Sequence, residues 1–328
     1  MSALTLIHET PGASEPDASV LMPLFNSASM VAEAVESVLS QDGCVLDVLL
    51  SDDVSGDGTL ERAEEVVRRH GGPHRIRLYR AAGHLGIDHL HELIDRASCR
   101  LLIEAHGDDV SYPGRMARLR EIHRATGAAL IVSLCDRRHE PAGRIAPEPT
   151  PSGLAGGWLT LEQSVPPAGS GLLAGARYAF DRIIHDRFPR LDSSRAPSSH
   201  DRIQAFRAAL LGRLWFTEER LLQCRRHPGQ GSRALLDRQS PATLRFGWSL
   251  RHLAAMRAMR RDCDHAAREG LVEAGAAEAA CRLLAARAGH FQAELLDSRD
   301  DLVRAGMQPL WVAQEALMDW NASGRSGS

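Results

Sequence analysis

Short strand-like runs alternate with helix-like segments in the first part of the chain, and this alternation constrains the fold more than any other feature. The five runs are Val20–Met22, Val45–Leu50, Arg75–Tyr79, Leu101–Ile103 and Ala129–Leu134. Strands separated by helices form a parallel or mostly parallel sheet that is covered on both faces. We therefore expect a Rossmann-like α/β fold, in which ligands bind beyond the carboxyl ends of the strands.

Two pairs of aspartates follow predicted strands at the edge where such a ligand would bind. Asp52-Asp53 comes after the second run and Asp108-Asp109 after the fourth. Carboxylates from two strand ends can hold a divalent cation together with a nucleotide or a polyol. Aspartate is also common in turns and at helix N-termini, so each pair alone has a structural explanation. Their occurrence at two neighbouring strand ends favours a functional site.

The charge and cysteine content exclude several classes of function. All 39 basic residues are arginine, and with 42 acidic residues the net charge is −3, too close to neutral for charge-driven binding of nucleic acid. Without lysine, the chain has neither a Schiff-base nucleophile nor a P-loop phosphate ligand. The six cysteines show no CxxC spacing, which is typical of a reduced intracellular protein. No leader pattern or membrane-length apolar run is evident, so we expect a cytoplasmic protein, with peripheral membrane attachment left open.

We expect five segments along the chain. Residues 1–17 are polar and are predicted to be a flexible N-terminal tail, followed by an α/β half at 18–136 and a second half at 137–235. Alanine- and arginine-rich sequence with helical spacing predicts a helical C-terminal region over 236–321. Residues 322–328 are expected to be disordered. The apolar positions of the C-terminal helices fit either internal packing or a homodimer interface.

Five segments of the first 230 residues resemble, in their order, the motifs of family 2 glycosyltransferases of the GT-A fold. They are VLMPLFNSASMVAEAVESVLSQ, LLSDDVSGDGT, EAHGDDVSYPGRMARL, SSHDRIQAFRAALLG and LLQCRRHPGQGS. Each alone is a weak match, whereas the five in order are a strong one. The resemblance implies a GT-A type, mostly parallel sheet flanked by helices, to which a helical C-terminal appendage is added. It also implies that residues 18–136 bind a nucleotide sugar and that 137–235 bind the acceptor.

The activity that the resemblance implies is transfer of a sugar, with inversion, from a nucleoside diphosphate sugar to an acceptor hydroxyl. UDP is favoured because it is frequent in the family, and the acceptor is unknown: a saccharide, a lipid-linked precursor, a protein or a small metabolite. Negative charge develops on the diphosphate as it leaves. A divalent cation, Mn²⁺ or Mg²⁺, stabilises that charge and requires hard oxygen ligands.

The positions that match the family's motifs define a candidate site. The donor-binding residues implied in this way are Pro23, Phe25, Asn26, Asp53, Gly86 and Asp108. Among them, Phe25 would stack on the nucleobase and Asp53 would hydrogen-bond to its edge. The implied metal ligands are Asp109, Asp108 and His227. Asp201 matches the general base, which takes the proton of the acceptor hydroxyl on the face opposite the diphosphate.

The chain departs from the family's pattern at several positions. The replacements stand at His84, His91, His106, His200 and Cys224. They motivate an alternative hypothesis, a catalytically degenerate GT-A-fold protein that serves in binding or assembly. A GT-A-like nucleotidyltransferase is the least favoured alternative, because the loop Pro23–Ser29 has neither the glycine nor the basic residue that such enzymes use.

Overall fold

The computed structural model describes residues 3–86, 88–165, 172–173, 175–191, 199–227 and 241–304. The chain divides into two compact units. The first comprises Met1–Leu159, Ser170–Arg187 and Gly212–Arg226, and the second comprises Thr160–Gly169, Phe188–Leu211 and His227–Ser328. This division differs from the segments expected from the sequence, because residues 188–211 group with the C-terminal helices instead of with the rest of 137–235.

The first unit is built on a mixed sheet that has 11 strands among the described residues. In chain order these are β1 (Leu4–Thr10), β2 (Ala18–Leu24), β3 (Leu46–Asp52), β4 (Arg75–Ala81), β5 (Leu101–Glu104), β6 (Val110–Ser111), β7 (Leu130–His139), β8 (Arg144–Pro147), β9 (Gly157–Trp158), β10 (Tyr178–Asp181) and β11 (Leu214–Arg226). Across the sheet the order is β1-β4-β3-β2-β5-β10-β7-β11-β6, with β8 beside β7 and β9 beside β11.

Parallel pairing is concentrated where the candidate site was predicted. β2 pairs in parallel with β3 and β5, and β3 pairs in parallel with β4. β7 and β11 form a second parallel pair, whereas β10 joins the two parallel groups in antiparallel orientation. The α/β prediction is therefore confirmed, with a sheet that is parallel in its β4-β3-β2-β5 part and mixed as a whole.

Helices of the first unit connect and cover these strands, and the second unit has helices of its own. Those in the described residues are α1 (Val31–Leu39), α2 (Thr59–Arg69), α3 (Asp88–Arg96), α4 (Arg115–Thr126), α5 (Leu161–Ser164), α6 (Ile183–Asp186), α7 (His200–Leu210), α8 (Pro241–Arg268) and α9 (Ala274–Arg304). The α1 face formed by Val31, Val35 and Val38 is buried in one apolar core with β2 and β3. Burial of these faces is the main stabilising contribution to such a layer, at about 25 cal/mol per Å².

The prediction of a flexible tail over residues 1–17 is wrong. Leu4–Thr10 forms β1, which pairs with β4 in antiparallel register from Leu4 opposite Ala81 to Thr10 opposite Ile76. Leu4 is buried, while Leu6 on the same strand is exposed, so apolar burial at this edge is slight. Main-chain hydrogen bonds to β4 hold the strand, and such pairing leaves little trace in local hydrophobicity.

The second unit contains α5, α7 and the long helices α8 and α9, which pack around an apolar core. Side chains from three helices meet there, including Phe206 of α7, Met256 of α8 and Phe291 of α9. Arg207 of α7 forms a buried salt bridge with Asp262 of α8, with Nε 2.7 Å from Oδ2. The helices predicted for the C-terminal region are thus present in its described part.

Some predictions fall outside the part of the chain that the structure describes. They include a helical stretch near residues 310–320 and the disordered segment 322–328. Within the described part, none of the helices combines the length and apolarity that crossing a bilayer requires.

Candidate active site

The carboxyl ends of three parallel strands bring both acidic pairs beside one loop. β2 lies between β3 and β5, with Leu24 opposite Asp52 on one side and Leu21 opposite Glu104 on the other. The loop that follows β2, residues 25–30, is therefore flanked by the turn after β3 and the turn after β5. This is the edge at which the alternation of strands and helices places a ligand.

The loop after β2 is tied to the turn after β3. The side-chain oxygen of Asn26 accepts the N–H of Gly56 (3.0 Å), and the N–H of Asn26 donates to Ser55 Oγ (2.9 Å). Asn26 adopts a φ of 43°, which asparagine tolerates better than most residues. Phe25, beside it, keeps 52% of its surface exposed and is free to stack on a ring. The predicted contact of Asn26 with the donor stays a prediction.

Asp53 is buried, and its carboxylate holds the loop between β4 and α3. Oδ1 accepts the N–H of Leu85 (2.7 Å), and Oδ2 accepts the N–H of Gly86 (3.0 Å) and lies 2.8 Å from His84 Nδ1. Gly86 has a φ of 57°, which glycine adopts without a steric penalty. His84 contacts Phe25, with ring centroids 4.9 Å apart. The sequence did not indicate this loop-holding role, and the nucleotide contacts predicted for Asp53 and Gly86 stay predictions.

The second acidic pair lies on a tight turn between β5 and β6. The N–H of Asp109 donates to the carbonyl of His106 (3.3 Å), which closes the turn. Glycine is favoured at position 107, because a Cβ there would lie 2.8 Å from Ser27 Oγ and 2.9 Å from Leu24 Cδ2, so that these side chains would have to shift. The absence of a side chain at Gly107 therefore lets the turn approach the loop after β2.

His106, Asp108 and Asp109 form a group, called here the metal-compatible group, that can hold a divalent ion. One potential ligand atom from each lies within 4.8 Å of the others, and His106 Nδ1 is 3.9 Å from Asp109 Oδ2. Burial and the neighbouring charge of Asp108 raise the pKa of Asp109 to about 6. A cation bound at this group would compensate the charge that makes the ionised form of Asp109 unfavourable.

Arg225, near the end of β11, holds the metal-compatible group in place. Its main-chain N–H donates to Asp109 Oδ1 (2.9 Å), and its guanidinium donates to the carbonyls of Asp108 (3.2 Å) and Met30 (3.3 Å). The same guanidinium pairs with the carboxylate of Glu33 in α1. The sequence reasoning missed this role, although Arg225 is the first of the two arginines in LLQCRRHPGQGS.

A second buried arginine, Arg115 at the start of α4, also holds the acidic turn between β5 and β6. Its guanidinium donates to Ser111 Oγ (3.0 Å) and to the carbonyls of Glu104 (2.9 Å) and Ala176 (2.7 Å). Burial lowers the pKa of Arg115 to about 10, which leaves the side chain charged at neutral pH. Glu104 precedes the acidic turn and Ser111 follows it, so Arg115 fixes both of its ends. This residue was also missed, although it lies in the quoted segment EAHGDDVSYPGRMARL.

Three further residues were predicted for the site: Asp201, His227 and Pro23. Asp201 is the second residue of α7 and belongs to the second unit; its Oδ1 lies 2.6 Å from His200 Nε2, and its side chain is 28% exposed. His227 follows β11, is half-buried, and is not a member of the metal-compatible group. Pro23 is half-buried within β2. The roles predicted for these three residues stay predictions.

Comparison with other sequences identifies relatives of the chain. A family model described as "Glycosyl transferase family 2" matches residues 19–207. The putative glycosyltransferase EpsE of Bacillus subtilis (strain 168) is 30% identical over 105 residues, which are 32% of this chain and 37% of that protein. The succinoglycan biosynthesis protein ExoO of Rhizobium meliloti (strain 1021) is 30% identical over 122 residues, 37% of this chain and 34% of that protein. The alignments thus span little more than a third of either relative.

Comparison with solved structures bears on the fold. S. aureus TarS 1-349 in complex with UDP-GlcNAc matches with a TM-score of 0.56 at 13% identity, over 88% of this chain and 92% of that one. The mannosyltransferase PcManGT from Pyrobaculum calidifontis, in complex with GDP-Man and Mn²⁺, matches with a TM-score of 0.54 at 16% identity, over 96% and 82%. These matches confirm the GT-A type of α/β fold. Since the family model covers more than half of the chain, the chain belongs to glycosyl transferase family 2.

Proposed function

We propose that the chain transfers a sugar, with inversion, from a nucleoside diphosphate sugar to an acceptor hydroxyl, using a divalent metal ion. The observation that carries this proposal is the metal-compatible group at the carboxyl edge of the parallel strands, in a chain of this family. UDP is the favoured nucleotide, and the likeness to a structure with bound UDP-GlcNAc supports it. GDP, bound as GDP-Man in another similar structure, is the competing nucleotide.

The donor set suits a divalent ion such as Mn²⁺ or Mg²⁺. Asp108 and Asp109 provide carboxylate oxygens, which these hard cations prefer. When bound, the ion supplies positive charge to the diphosphate as the bond to the sugar breaks. Arg225 contacts both aspartates directly and Arg115 holds the two ends of their turn, so the ligands are already oriented before the donor binds. His227 is proposed as an additional ligand.

The base of the nucleotide is proposed to bind beside the loop after β2. The exposed ring of Phe25 offers a stacking surface there, and His84 borders it on one side. Asp53 supports this surface indirectly, by fixing the main chain of Leu85 and Gly86. Asn26 and Pro23 complete the donor side of the proposed site.

Asp201 is proposed as the general base. A displacement with inversion requires a carboxylate that accepts the proton of the attacking hydroxyl. Asp201 Oδ1 lies 2.6 Å from His200 Nε2, and the side chain is 28% exposed, so part of the carboxylate can be reached from solvent. Among the possible acceptors, a saccharide is favoured by the similarity to a succinoglycan biosynthesis protein. The chain is proposed to be able to form a homodimer through α8 and α9.

Titration calorimetry with UDP and Mn²⁺ tests the donor half of the proposal. We expect UDP to bind in the presence of Mn²⁺ and to lose most of its affinity when the metal is chelated. GDP and other nucleoside diphosphates serve as comparisons, and a thermal-shift screen of nucleotide sugars then identifies the donor, because a ligand that binds only the folded state raises its stability. Absence of binding for every nucleoside diphosphate, with and without metal, would refute the proposal.

The substitution Asp201→Asn tests the catalytic half. Loss of the base should leave donor affinity unchanged and lower transfer by roughly 10²- to 10⁴-fold. The matched control is Asp186→Asn, at an exposed aspartate at the end of α6, which should leave both quantities unchanged. Full transfer by the Asp201→Asn protein would show that another group takes the proton.

A catalytically degenerate binding or assembly protein is the second candidate, and the histidine at position 106 favours it because the family has an acid there. Slow, metal-dependent hydrolysis of a nucleotide sugar in water would contradict this candidate. Binding of a donor with neither hydrolysis nor transfer to any offered acceptor would support it.

A further inference from the structure

We propose that His106 is itself a metal ligand, through Nδ1, and that its imidazole makes the site select first-row divalent ions such as Mn²⁺ over Mg²⁺. This inference rests on the proposed function, because it concerns the same ion. It gives His106 a role in metal binding, although a histidine in place of the family's acid would otherwise favour a catalytically degenerate site.

The spacing of the side chains matches a single coordination shell. Ligand atoms that lie about 2.1 Å from an ion are roughly 3 Å apart when adjacent and roughly 4.2 Å apart when opposite. His106 Nδ1 and Asp109 Oδ2 are 3.9 Å apart, and one potential ligand atom from each of His106, Asp108 and Asp109 lies within 4.8 Å of the others. Small side-chain rotations would bring all three atoms onto one ion. The main chain can stay fixed, because the turn from His106 to Asp109 is already closed by its own hydrogen bond.

The other nitrogen of the ring faces a buried carboxylate. His106 Nε2 lies 4.0 Å from Oε2 of Glu104, whose side chain is 1% exposed. A histidine that binds a metal through one nitrogen commonly donates its second N–H to a carboxylate, which fixes the tautomer and strengthens the ligand. A small rotation of the ring that shortens this 4.0 Å distance to a hydrogen bond would place the proton on Nε2 and leave the Nδ1 lone pair for the ion. This arrangement is independent of the spacing within the metal-compatible group.

An imidazole in the shell changes which ion binds best. Mg²⁺ favours oxygen ligands in a strict octahedron and gives up its waters reluctantly, whereas imidazole nitrogen suits first-row transition metals. An aspartate at position 106 would complete an all-oxygen set with Asp108 and Asp109. The histidine in this chain is thus expected to shift the preference toward Mn²⁺, Co²⁺ or Zn²⁺ and away from Mg²⁺.

Pulsed EPR of the nucleotide-free protein loaded with Mn²⁺ tests the ligand directly, because ¹⁴N bound to Mn²⁺ modulates the spin echo. Because His227 is a second proposed nitrogen ligand, the measurement is made in the His227→Ala protein. We expect ¹⁴N modulation there and its loss when His106→Asp is added, a double variant that still offers three carboxylates to Mn²⁺. Adding His290→Ala instead, which removes an exposed histidine of α9, is the control and should keep the modulation. Modulation that is absent from His227→Ala, or that survives in its combination with His106→Asp, would overturn the inference.

The metal preference gives a second readout. Calorimetry with Mn²⁺ alone and Mg²⁺ alone should show the ratio of the two affinities falling about 10-fold in His106→Asp relative to wild type. Glu104→Gln should weaken Mn²⁺ binding by roughly 10-fold, as loss of a partner behind a metal-bound histidine usually does. Unchanged ratios in His106→Asp would overturn this inference while leaving the proposed function intact. A wild-type protein that binds neither ion, even with UDP, would overturn both.

Discussion

The turns after β3 and after β5 carry the same pair of residues, Asp-Asp, on either side of β2, yet the structure uses them differently. After β3, the Asp53 carboxylate is buried and accepts main-chain N–H groups from Leu85 and Gly86. After β5, Asp109 accepts one main-chain N–H from Arg225 and otherwise faces His106. The first carboxylate stabilises a loop of the protein, whereas the second is arranged to receive a cation.

The environment of each turn explains the difference. The loop between β4 and α3 folds over Asp53, so its charge is compensated by main-chain N–H groups and by His84. No comparable main-chain cradle among the described residues closes over Asp109, and burial leaves its pKa raised to about 6. A carboxylate that the fold leaves undercompensated is a candidate for function, and one that the fold satisfies is a candidate for structure.

The largest effect is expected in the turn after β5, where a substitution should remove metal binding without lowering stability. Replacement of Asp108 and Asp109 together by asparagine should abolish Mn²⁺ binding and lower transfer by roughly 10³-fold, since the ion contributes several kcal/mol of charge stabilisation. The thermal midpoint should stay the same or rise, because a buried, undercompensated charge is removed. Metal titration and thermal unfolding check the two parts. Retained Mn²⁺ binding would refute the assignment of the metal site.

The opposite pattern is expected for Asp53→Asn. The amide keeps one acceptor but turns an NH₂ group toward a main-chain N–H, which should lower the free energy of unfolding by about 2 kcal/mol. For a unit of this size the thermal midpoint should fall by roughly 4–8 °C. Affinity for Mn²⁺ alone should change by less than about 3-fold, because the carboxylates after β5 are untouched. A variant of wild-type stability that fails only in nucleotide binding would show that Asp53 contacts the base directly.

A pair of glycine substitutions sharpens the comparison between the same two turns. Gly107→Ala should lower the free energy of unfolding by about 1–3 kcal/mol and weaken Mn²⁺ binding, because the new Cβ collides with Ser27 and Leu24. Gly56→Ala, in the turn after β3, is the matched control: a Cβ there meets nothing within 4 Å, so we expect a change of less than about 0.5 kcal/mol. Denaturant unfolding of both proteins measures this, and equal effects would contradict the close approach of the turn at Gly107.

A smaller effect concerns the pH dependence of stability at Asp181 in β10, another carboxylate that the protein's own groups compensate. Burial alone would raise the pKa of Asp181, but hydrogen bonds from His123, the Ile183 N–H and Arg100 outweigh it and hold the pKa at about 2. Because this value is below the ordinary 3.8, the carboxylate contributes stability above about pH 4 that is lost as the pH falls toward 2. The stability difference between wild type and Asp181→Asn should therefore shrink by about 1 kcal/mol between pH 5 and pH 3. Urea unfolding at the two values checks this, and a constant difference would contradict it.

Local sequence predicted the parts of the fold in which local signals are strong. The buried runs of β2, β3 and β5 and the helices between them have the expected periodicity, and the turn residues at Asp52 and Asp108 mark the strand ends. β1 was missed because only Leu4 is buried on it and its pairing depends on main-chain bonds to β4. Edge strands of this kind carry no pattern that distinguishes them from a polar tail.

The sequence predicted residues for the candidate site but not the contacts that hold them. The motifs marked both Asp53 and Asp109, and only the three-dimensional arrangement shows that Asp53 accepts hydrogen bonds from the protein's own main chain. Arg225 and Arg115 were missed for a related reason. Most of their partners lie far away in the sequence, as in the bonds from Arg225 to the Asp108 carbonyl and from Arg115 to the Ala176 carbonyl, so no local pattern reports them.

Diffraction from crystals grown with UDP and Mn²⁺, with data collected at the manganese absorption edge, tests the central claim most directly. The account predicts one anomalous peak, from a manganese ion bound by the carboxylates of Asp108 and Asp109 and by the diphosphate. It also predicts that the base lies beside Phe25. A bound nucleotide without an anomalous peak at this turn, or a manganese ion held instead at Asp52 and Asp53, would contradict it.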